Sequence, residues 1–126
     1  MTIVLDSSAV LAYLWNEPGS ETLRPHMRDG RISSVNVVEV VSKLIDHGLT
    51  GDAAKLMLAG LDLATVPFDR SQAQLAGTLR SQTRRLGLSL GDRACLALAL
   101  LEKARIITAD RAWSKVSLGL EIEVIR

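Results

Sequence analysis

The sequence predicts a single α/β domain with a central parallel β-sheet flanked by helices on both faces. Short β-branched and aliphatic segments alternate along the chain with longer helical segments, and the short segments are apolar enough to be buried on both sides. The chain has 126 residues, of which 48% are hydrophobic, so it can bury one core but not two. We therefore expect one ordered domain over residues 1–126.

The first segments predict a strand followed by two helices. Residues 2–5 are aliphatic and end at Asp6 and two serines, a pattern typical of a buried strand that leads into a helix. The helix that follows is predicted over residues 9–15. A serine offers a cap for a second helix over residues 20–28, in which Pro25 is the least favourable residue.

The central segments continue the alternation of strands and helices. Residues 31–34 form a short strand, and the apolar run after it predicts a helix over residues 35–46 that stops at a His-Gly pair. Thr50 caps the next helix. Residues 63–68 then give a third strand, so the middle of the chain repeats the order seen at its start.

The last segments complete the predicted sheet. Asp69 caps a long helix over residues 70–85, which a glycine closes. Residues 92–103 are helical and strongly apolar, and residues 105–108 form the fourth strand. Residues 121–125 alternate in polarity and form the fifth strand, so helices are available to cover both faces of the sheet.

Charge and composition exclude several classes of protein. A net charge of +1 argues against a nucleic-acid-binding protein whose whole surface is basic, although it permits a local basic rim. The longest apolar run, residues 94–101, is far short of the roughly 20 residues of a membrane span. The amino terminus lacks the basic start and apolar stretch of a signal peptide, so we expect a cytoplasmic protein without a membrane anchor. The single cysteine, Cys95, cannot form an internal disulfide and receives no catalytic role.

Two aspartates follow strands of the predicted sheet. Asp6 ends the first strand, and Asp110 follows the strand at residues 105–108. Ligands of open α/β sheets gather beyond the carboxyl ends of the strands, near the point where the strand order reverses. We therefore expect these two carboxylates to face one crevice.

Two further acids lie in apolar helical segments. Glu39 interrupts the sequence VVEVV, and Asp92 begins an apolar helix whose positive amino-terminal end would meet the crevice. Carboxylates held close together repel one another, and a hard divalent cation such as Mg²⁺ relieves that repulsion. Each acid taken singly is also explained as a helix cap, a turn residue or a group at the solvent boundary. Their joint placement favours a metal site.

Four segments carry these acids in order along the chain. They are IVLDSSA at residues 3–9, SSVNVVEVVSK at residues 33–43, LSLGDRACLALA at residues 88–99 and TADRAW at residues 108–113. The four segments resemble the motifs of bacterial PIN-domain toxins of the VapC type. The resemblance spans essentially the whole chain, and none of the family's four acids is missing.

The resemblance implies a ribonuclease that depends on a divalent metal ion. The protein would be a Mg²⁺- or Mn²⁺-dependent endoribonuclease, the toxin of a type II toxin–antitoxin system. It would form a homodimer, act on structured RNA such as tRNA and be inhibited by a cognate antitoxin. By the same resemblance, Asp6 and Asp92 bind the metal directly, while Glu39 and Asp110 bind it or hold its waters. Attack of a metal-oriented water on the RNA phosphodiester would leave a 5′-phosphate and a 3′-hydroxyl.

Hydroxyl and guanidinium side chains lie beside these acids in the sequence. Ser7, Ser8 and Thr108 are candidates for hydrogen bonds to the carboxylates, although capping and turn roles explain the same hydroxyls equally well. Arg93 and Arg111 each follow a site acid and are candidates for steering RNA phosphates. The alternative for both arginines is an ordinary solvated or salt-bridged side chain.

Two other functions fit parts of the pattern. A receiver-like signalling domain has a similar length, an α/β sheet, Mg²⁺ and an aspartate at a strand end, and Asp69 invites that interpretation. Against it, the first strand ends in one acid and not in a pair, and Glu39 and Asp92 stay unexplained. A catalytically silent PIN-like module that only binds RNA or a protein partner is the second alternative, because a fold does not guarantee its chemistry.

Overall fold

Five short strands form one parallel sheet in the computed structural model, which describes residues 2–126. The strands are β1 (Ile3–Leu5), β2 (Gly30–Ser33), β3 (Ala64–Val66), β4 (Arg105–Thr108) and β5 (Ile122–Val124). Their order is β3-β2-β1-β4-β5, so the direction of strand succession reverses between β1 and β4. The predicted parallel sheet and its five strands are confirmed. Met1, which the predicted domain and the signal-peptide argument included, lies outside the described residues.

Alternate residues of the central strands pack on opposite faces of the sheet. Ile3 and Leu5 of β1 belong to one buried apolar cluster, while Val4 belongs to a second. In β4 the same alternation puts Ile107 in the first cluster and Ile106 in the second. Because side chains alternate along a strand with a period of two, both faces of the sheet are buried, as is usual for parallel strands.

Helices cover both of these faces. The α-helices are α1 (Ser7–Leu14), α2 (Arg24–Met27), α3 (Ser34–Asp46), α4 (Gly51–Ala59), α5 (Arg70–Thr78), α6 (Arg80–Thr83) and α7 (Leu90–Glu102), with 3₁₀ helices at Ser20–Leu23, Arg84–Leu86 and Arg111–Lys115. Helices α1, α3 and α4 contribute to the first apolar cluster, and α5 and α7 contribute to the second. Helices on both faces were predicted and are confirmed. Within residues 2–126, no helix is both long enough and apolar enough to cross a membrane.

Polar side chains mark the residues at which four of the helices begin. The capping residues are Asp6 for α1, Ser33 for α3, Thr50 for α4 and Asp69 for α5. Each side chain accepts a hydrogen bond from a backbone amide in the first turn of its helix, where the amides have no helical partner. The caps predicted at Thr50 and Asp69 are confirmed.

The start of α7 differs from its prediction. The helix begins at Leu90 with Ser89 as its N-cap, and not at Asp92. The Ser89 hydroxyl accepts a hydrogen bond from the Asp92 amide at 3.2 Å, and Asp92 Oδ2 accepts one from the Ser89 amide at 2.9 Å. This reciprocal capping box keeps the Asp92 carboxylate at the amino-terminal end of α7, where the helix dipole favours negative charge.

Two helices are shorter than the sequence predicts. The segment 20–28 is a 3₁₀ turn followed by α2, because Pro25 lies in the first turn of α2, where its missing N–H is tolerated. The segment 70–85 divides into α5, α6 and a 3₁₀ turn. The Ser81 hydroxyl donates to the Thr78 carbonyl. The Gln82 amide, which would bond that carbonyl in a continuous helix, donates to the Leu79 carbonyl instead.

Candidate active site

Asp6 lies at the carboxyl end of β1, beside the point where the strand order reverses. Its side chain is 2% exposed and is held by three donors. Oδ1 accepts from the Ala9 amide at 2.9 Å, Oδ2 accepts from Thr108 Oγ1 at 2.6 Å, and Ser8 Oγ lies 2.9 Å from both oxygens. The helix cap of α1 and the candidate metal ligand are therefore the same carboxylate.

Burial changes the chemistry of the Asp6 carboxyl. Loss of hydration raises the pKa of Asp6 from its ordinary value of 3.8 to about 6. The hydrogen bonds from Thr108, Ala9 and Ser8 oppose this effect by stabilising the carboxylate, and the negative charge of Asp92 adds to it. Because burial dominates, the ionised form of Asp6 is costly near neutral pH unless a positive charge approaches it.

Asp92 lies in the first turn of α7, and the charges of the neighbouring acids affect the pKa of its carboxyl group. Burial raises the pKa of the Asp92 carboxyl, and the hydrogen bonds from Ser89 lower it. The negative charges of Glu39 and Asp110 raise it further. Helices α3 and α7 and the loop after β4 thus bring these three carboxylates within electrostatic reach of one another.

Glu39 approaches α7 from the neighbouring helix. Its Oε1 accepts a hydrogen bond from Asn36 Nδ2 at 2.8 Å, one turn earlier on α3. The carboxylate lies directly against Gly91, where a Cβ atom would overlap it. The charge that interrupts the apolar segment of α3 is therefore compensated by an amide donor and lies beside the first turn of α7.

Asp110 is more exposed than the other three acids. It caps the 3₁₀ helix Arg111–Lys115, and its Oδ1 accepts from the Ala112 amide at 2.9 Å. The Asp110 amide in turn donates to Thr108 Oγ1 at 3.0 Å. The Thr108 hydroxyl therefore links the Asp6 carboxylate to the backbone of Asp110, at the ends of β1 and β4.

The hydroxyls that the sequence singled out divide into two groups. Ser8 and Thr108 both contact Asp6, and Ser8 Oγ also accepts from the Ala109 amide at 3.0 Å, which ties α1 to the end of β4. Ser7 is the first residue of α1 and lines the cavity beside the acids. No side-chain hydrogen bond from Ser7 to a carboxylate occurs in the described part of the chain.

The buried thiol of Cys95 is also affected by the charges of the site acids. Cys95 is fully buried one turn after Asp92, and burial raises the pKa of its thiol well above the ordinary value. The negative charges of Asp6, Asp92 and Glu39 raise the thiol pKa further. The charges of three of the four acids therefore reach the buried thiol beneath the first turns of α7, and the thiol stays neutral.

The four acids have the oxygen ligands that a hard divalent cation binds, but they do not form a preformed binding site in which three of them surround the ion. All four candidates are carboxylates, the oxygen ligands that Mg²⁺ and Mn²⁺ prefer. Among residues 2–126, however, no three His, Cys, Asp or Glu side chains converge closely enough to hold one ion between them. The reason is local, because Ser89, Asn36 and Ala112 each hold one of the acids beside Asp6 in its own hydrogen bond. Mg²⁺ takes only one or two direct carboxylates and keeps several waters, so this arrangement is compatible with it.

Comparison with known proteins identifies the family. The sequence matches the PIN domain family over residues 3–118. This chain belongs to the PIN domain family. No curated protein sequence matches it. The resemblance drawn from the four acidic motifs is thereby confirmed at the level of the family.

Solved structures of toxin–antitoxin complexes share the fold of this PIN domain. A chain of VapBC2 from Rickettsia felis, bound to a DNA fragment from their promoter, superposes with a TM-score of 0.77 at 18% identity and 98% coverage of both chains. DNA-bound VapBC from Salmonella typhimurium gives 0.78 at 19% identity, covering 100% of this chain and 99% of that one. VapBC-5 from Mycobacterium tuberculosis gives 0.65 at 25% identity, covering 99% and 98%. The whole described fold is therefore that of a PIN domain.

Membership of the PIN family removes the basis for the receiver-like alternative. Asp69, which invited it, follows the edge strand β3, and its Oδ1 caps α5 by accepting from the Gln72 amide at 3.0 Å. Its charge is not among those that act on Asp6 or Asp92. Asp69 is a helix cap in this PIN domain.

A cavity of about 360 Å³ opens between α1 and α3, beside the acids. Its lining residues are Ser7, Ser8, Leu11, Val38, Glu39, Ser42, Lys43 and Asp46. Lys43 is the one cation in this lining, and within residues 2–126 it forms no ion pair. The cavity therefore joins a free positive charge to the edge of the acidic site.

The two arginines that follow site acids are engaged with backbone carbonyls. Arg93 Nη1 donates to the Ala76 carbonyl of α5 at 3.0 Å, so this partly buried side chain ties α7 to α5. Arg111 is exposed, and its Nε donates to the Arg126 carbonyl at 3.2 Å. Neither guanidinium contacts a site carboxylate, and contact with RNA stays a prediction for both.

Sequence reasoning missed three residues that shape the site. Asn36 holds Glu39, Gly91 makes room for it, and Ser89 restrains Asp92. The spacing Ser-x-x-Asp at residues 89–92 was a detectable capping-box signal. The other two carry no signal of their own, because their roles depend on where α3 crosses α7.

Proposed function

We propose that this PIN domain is a divalent-metal-dependent endoribonuclease and the toxin of a type II toxin–antitoxin pair. The observation that carries the proposal is the electrostatic coupling among Asp6, Glu39, Asp92 and Asp110, near the point where the strand order reverses. Burial does most to raise the pKa of Asp92, and the charges of Glu39 and Asp110 raise it further. The charge of Asp92 in turn adds to the rise in the pKa of Asp6. Such a cluster costs stability and is typical of a site that acts on a cation or its ligands.

The proposal assigns metal binding to the four acids. Asp6 and Asp92 would hold Mg²⁺ or Mn²⁺ directly, and Glu39 and Asp110 would hold it or its waters. When bound, the ion would supply positive charge for the phosphodiester oxygens and lower the pKa of a water. Thr108 and Ser8 keep the Asp6 carboxylate oriented, as hydrogen-bonded partners of metal ligands generally do.

The proposed reaction is hydrolysis of an RNA phosphodiester bond. The oxygen of water forms a bond to phosphorus, the bond from phosphorus to the 3′-oxygen breaks, and that oxygen leaves with a proton as a 3′-hydroxyl. The water oxygen stays on the 5′-phosphate of the other fragment. A cyclic phosphate product would contradict this assignment.

The proposed substrate and partners rest on the cavity beside the acids, on the solved complexes and on the resemblance of the four acidic motifs. We propose that an RNA phosphate next to the cleaved bond lies in the cavity between α1 and α3, where Lys43 supplies the positive charge. The solved VapBC complexes that share this fold support a protein antitoxin as the partner. A homodimer in the cytoplasm that acts on tRNA or other structured RNA completes the proposal.

The first experiment compares cleavage of total RNA by the wild-type protein with Mg²⁺ and with EDTA. Asp6→Asn tests the site, and Asp69→Asn is its matched control, because both aspartates cap a helix after a strand and only Asp6 lies among the acids. We expect discrete products that require metal and Asp6 and that survive Asp69→Asn. Cleavage by Asp6→Asn at the wild-type rate in a pure preparation would sink the assignment.

A second candidate function rests on a specific observation. Because no three of the acids in residues 2–126 converge on one point, a silent PIN module that only binds RNA or a partner is compatible with the geometry. Titration with Mn²⁺, followed by electron paramagnetic resonance, separates the two. If the protein is a nuclease, it should bind Mn²⁺, and Asp92→Asn should weaken that binding. If it is a silent module, its affinity for RNA, measured separately, should be the same with and without metal.

A further inference from the structure

Asn36 makes two contacts that join separate parts of the candidate site. It lies on α3 with 1% of its surface exposed. Its Nδ2 donates to Glu39 Oε1 at 2.8 Å and to the Gly91 carbonyl at 3.0 Å. One amide group therefore connects a site carboxylate with the first turn of α7, the helix that carries Asp92.

Gly91 supplies the space into which the Glu39 carboxylate fits. A Cβ atom at this position would overlap Oε1, Oε2 and Cδ of Glu39, which are side-chain atoms held in place by Asn36. Gly91 is a helical residue without a positive φ, so backbone conformation does not require glycine here. Its missing side chain is explained by the carboxylate that occupies the space.

From these contacts we infer that Asn36 and Gly91 are positioning residues that hold the Glu39 carboxylate against the first turn of α7, next to Asp92. The inference rests on the nuclease function proposed above for the meaning of Glu39, and it assigns the role of both residues to this one carboxylate. Neither residue touches substrate, and both act through Glu39.

The orientation of the Asn36 amide follows from its partners. A carboxylate oxygen and a backbone carbonyl are both acceptors, so the two N–H groups must face them and the amide oxygen must face elsewhere. Within residues 2–126, that oxygen is buried without a hydrogen-bond partner. An unsatisfied buried acceptor is costly, which argues that the two contacts of Nδ2 are what this side chain contributes.

A plain structural role for Asn36 makes a different prediction. If its amide served only to tie α3 to α7, the loss of Asn36 would lower the stability of the protein, and the molecules that still fold would keep normal Mn²⁺ affinity and activity. A positioning role instead links its effect to Glu39. Gln72 offers the comparison, since it is also a buried amide with one donated hydrogen bond and an oxygen without a partner, but it lies on α5 away from the acids.

The first test replaces Gly91 with alanine, and Gly77→Ala is the matched control. Both glycines are helical, but a Cβ at Gly77 meets no atom within 4 Å. We expect Gly91→Ala to lower kcat/KM about ten- to a hundredfold. Its Tm should stay near that of the wild type, because the higher helix propensity of alanine offsets the loss of the Asn36–Glu39 hydrogen bond. A crystal structure of the variant should show the Glu39 carboxylate displaced from α7. Wild-type kcat/KM in Gly91→Ala would overturn the inference.

The second test uses Asn36→Ala with Gln72→Ala as its control, and it holds even if Gly91→Ala does not fold. Mn²⁺ affinity is measured by titration in the wild-type and Glu39→Ala backgrounds. We expect Asn36→Ala to weaken Mn²⁺ binding about tenfold or more in the wild type, and to have no further effect once Glu39 is gone. Equal effects of Asn36→Ala in both backgrounds, or an equal effect of Gln72→Ala, would overturn the positioning role.

These readouts also separate the inference from the proposed function. If the wild type cleaves no RNA but Asn36→Ala weakens Mn²⁺ binding only when Glu39 is present, the positioning role holds and the nuclease proposal fails. If the wild type cleaves RNA with metal but Gly91→Ala and Asn36→Ala match it in rate and Mn²⁺ affinity, the nuclease proposal holds and the positioning role fails.

Discussion

Asp6 is subject to opposing effects on the charge of its carboxyl group. It caps α1, it joins β1 to β4 through Thr108, and it is the most buried of the four site acids. Capping and hydrogen bonding favour the carboxylate, while burial favours the neutral acid, and burial dominates. A nearby positive charge would stabilise a buried acid with this balance, which is why Asp6 is proposed as a metal ligand.

Replacing Asp6 with asparagine is expected to stabilise the metal-free protein at neutral pH. Because the pKa of Asp6 rises on folding from 3.8 to about 6, its contribution to stability is present below pH 4 and is lost as the pH rises through 6. At about 1.4 kcal/mol for each pKa unit, the loss is up to about 3 kcal/mol. Urea unfolding in EDTA should therefore give a more stable Asp6→Asn variant at pH 7 and nearly equal stabilities at pH 4.

The Asp6 prediction has a matched control in Asp69→Asn. Asp69 caps α5 in the same way but is exposed, so its replacement should leave the slope of stability against pH unchanged. An Asp6→Asn variant that is less stable than the wild type at pH 7, by the same amount as at pH 4, would contradict the energetic balance described for Asp6.

Thr108 is expected to set the pH range in which the site works. Its hydroxyl donates to Asp6 at 2.6 Å and is the strongest of the effects that lower the pKa of Asp6. Thr108→Val keeps the shape and removes the donor, so the pKa of Asp6 should rise further and the acidic limb of kcat/KM should move to higher pH. Thr83→Val is the control, because Thr83 is an equally buried threonine bonded to a helix carbonyl. An unchanged acidic limb would show that Asp6 ionisation does not limit the reaction.

The positions of two candidate site acids could be predicted from the sequence because each acid follows a strand. In a parallel sheet the carboxyl ends of neighbouring strands meet, so Asp6 and Asp110 could be brought together on paper from the strand pattern alone. Glu39 stood out because a charge in an apolar helical run needs an explanation. Asn36 and Gly91 could not be found in this way, since their contacts exist only once α3 and α7 cross.

At the scale of elements, capping chemistry was a better guide than helix periodicity. Thr50 and Asp69 were correctly identified as caps because their side chains act within one turn. The single helix predicted over residues 70–85 was wrong, because the Ser81 hydroxyl takes a carbonyl that a continuous helix would need for a backbone amide. Asp92 was taken for the first residue of its helix because its capping box with Ser89, three residues earlier, was overlooked.

RNA is proposed to bind in the cavity between α1 and α3, and a substitution of Lys43 tests this proposal. Replacing Lys43 with glutamine should raise KM several-fold with little change in kcat, and it should reduce the dependence of RNA binding on salt by about one phosphate contact. Lys55→Gln on α4 is the control, because Lys55 is exposed and pairs weakly with Asp52 at 3.5 Å. Equal changes in the two variants would mean that the cavity does not bind RNA.

At the scale of the whole molecule, the fold concentrates negative charge that the composition conceals. The net charge is only +1, yet Asp92 lies within electrostatic reach of Asp6, Glu39 and Asp110 near the carboxyl ends of β1 and β4. Two apolar clusters on opposite faces of the sheet support this arrangement, because they fix α3 and α7 on either side of β1. Stability stored in these two cores offsets the cost of gathering the acids.

This distribution predicts that divalent cations stabilise the whole domain. A cation that binds the folded acids and not the unfolded chain should raise the free energy of unfolding by about 2.7 kcal/mol at a hundred times its Kd. The gain should grow between pH 5 and 7, because Asp6 must lose its proton before it binds metal and its pKa is about 6. Differential scanning calorimetry with Mg²⁺ or Mn²⁺ should show a rise in Tm that EDTA reverses and that Asp92→Asn diminishes. Because Na⁺ at equal ionic strength only screens the repulsion, it should give a smaller shift. A Tm that responds equally to Na⁺ and Mg²⁺, or equally at both pH values, would mean that the acids repel one another without forming a metal site.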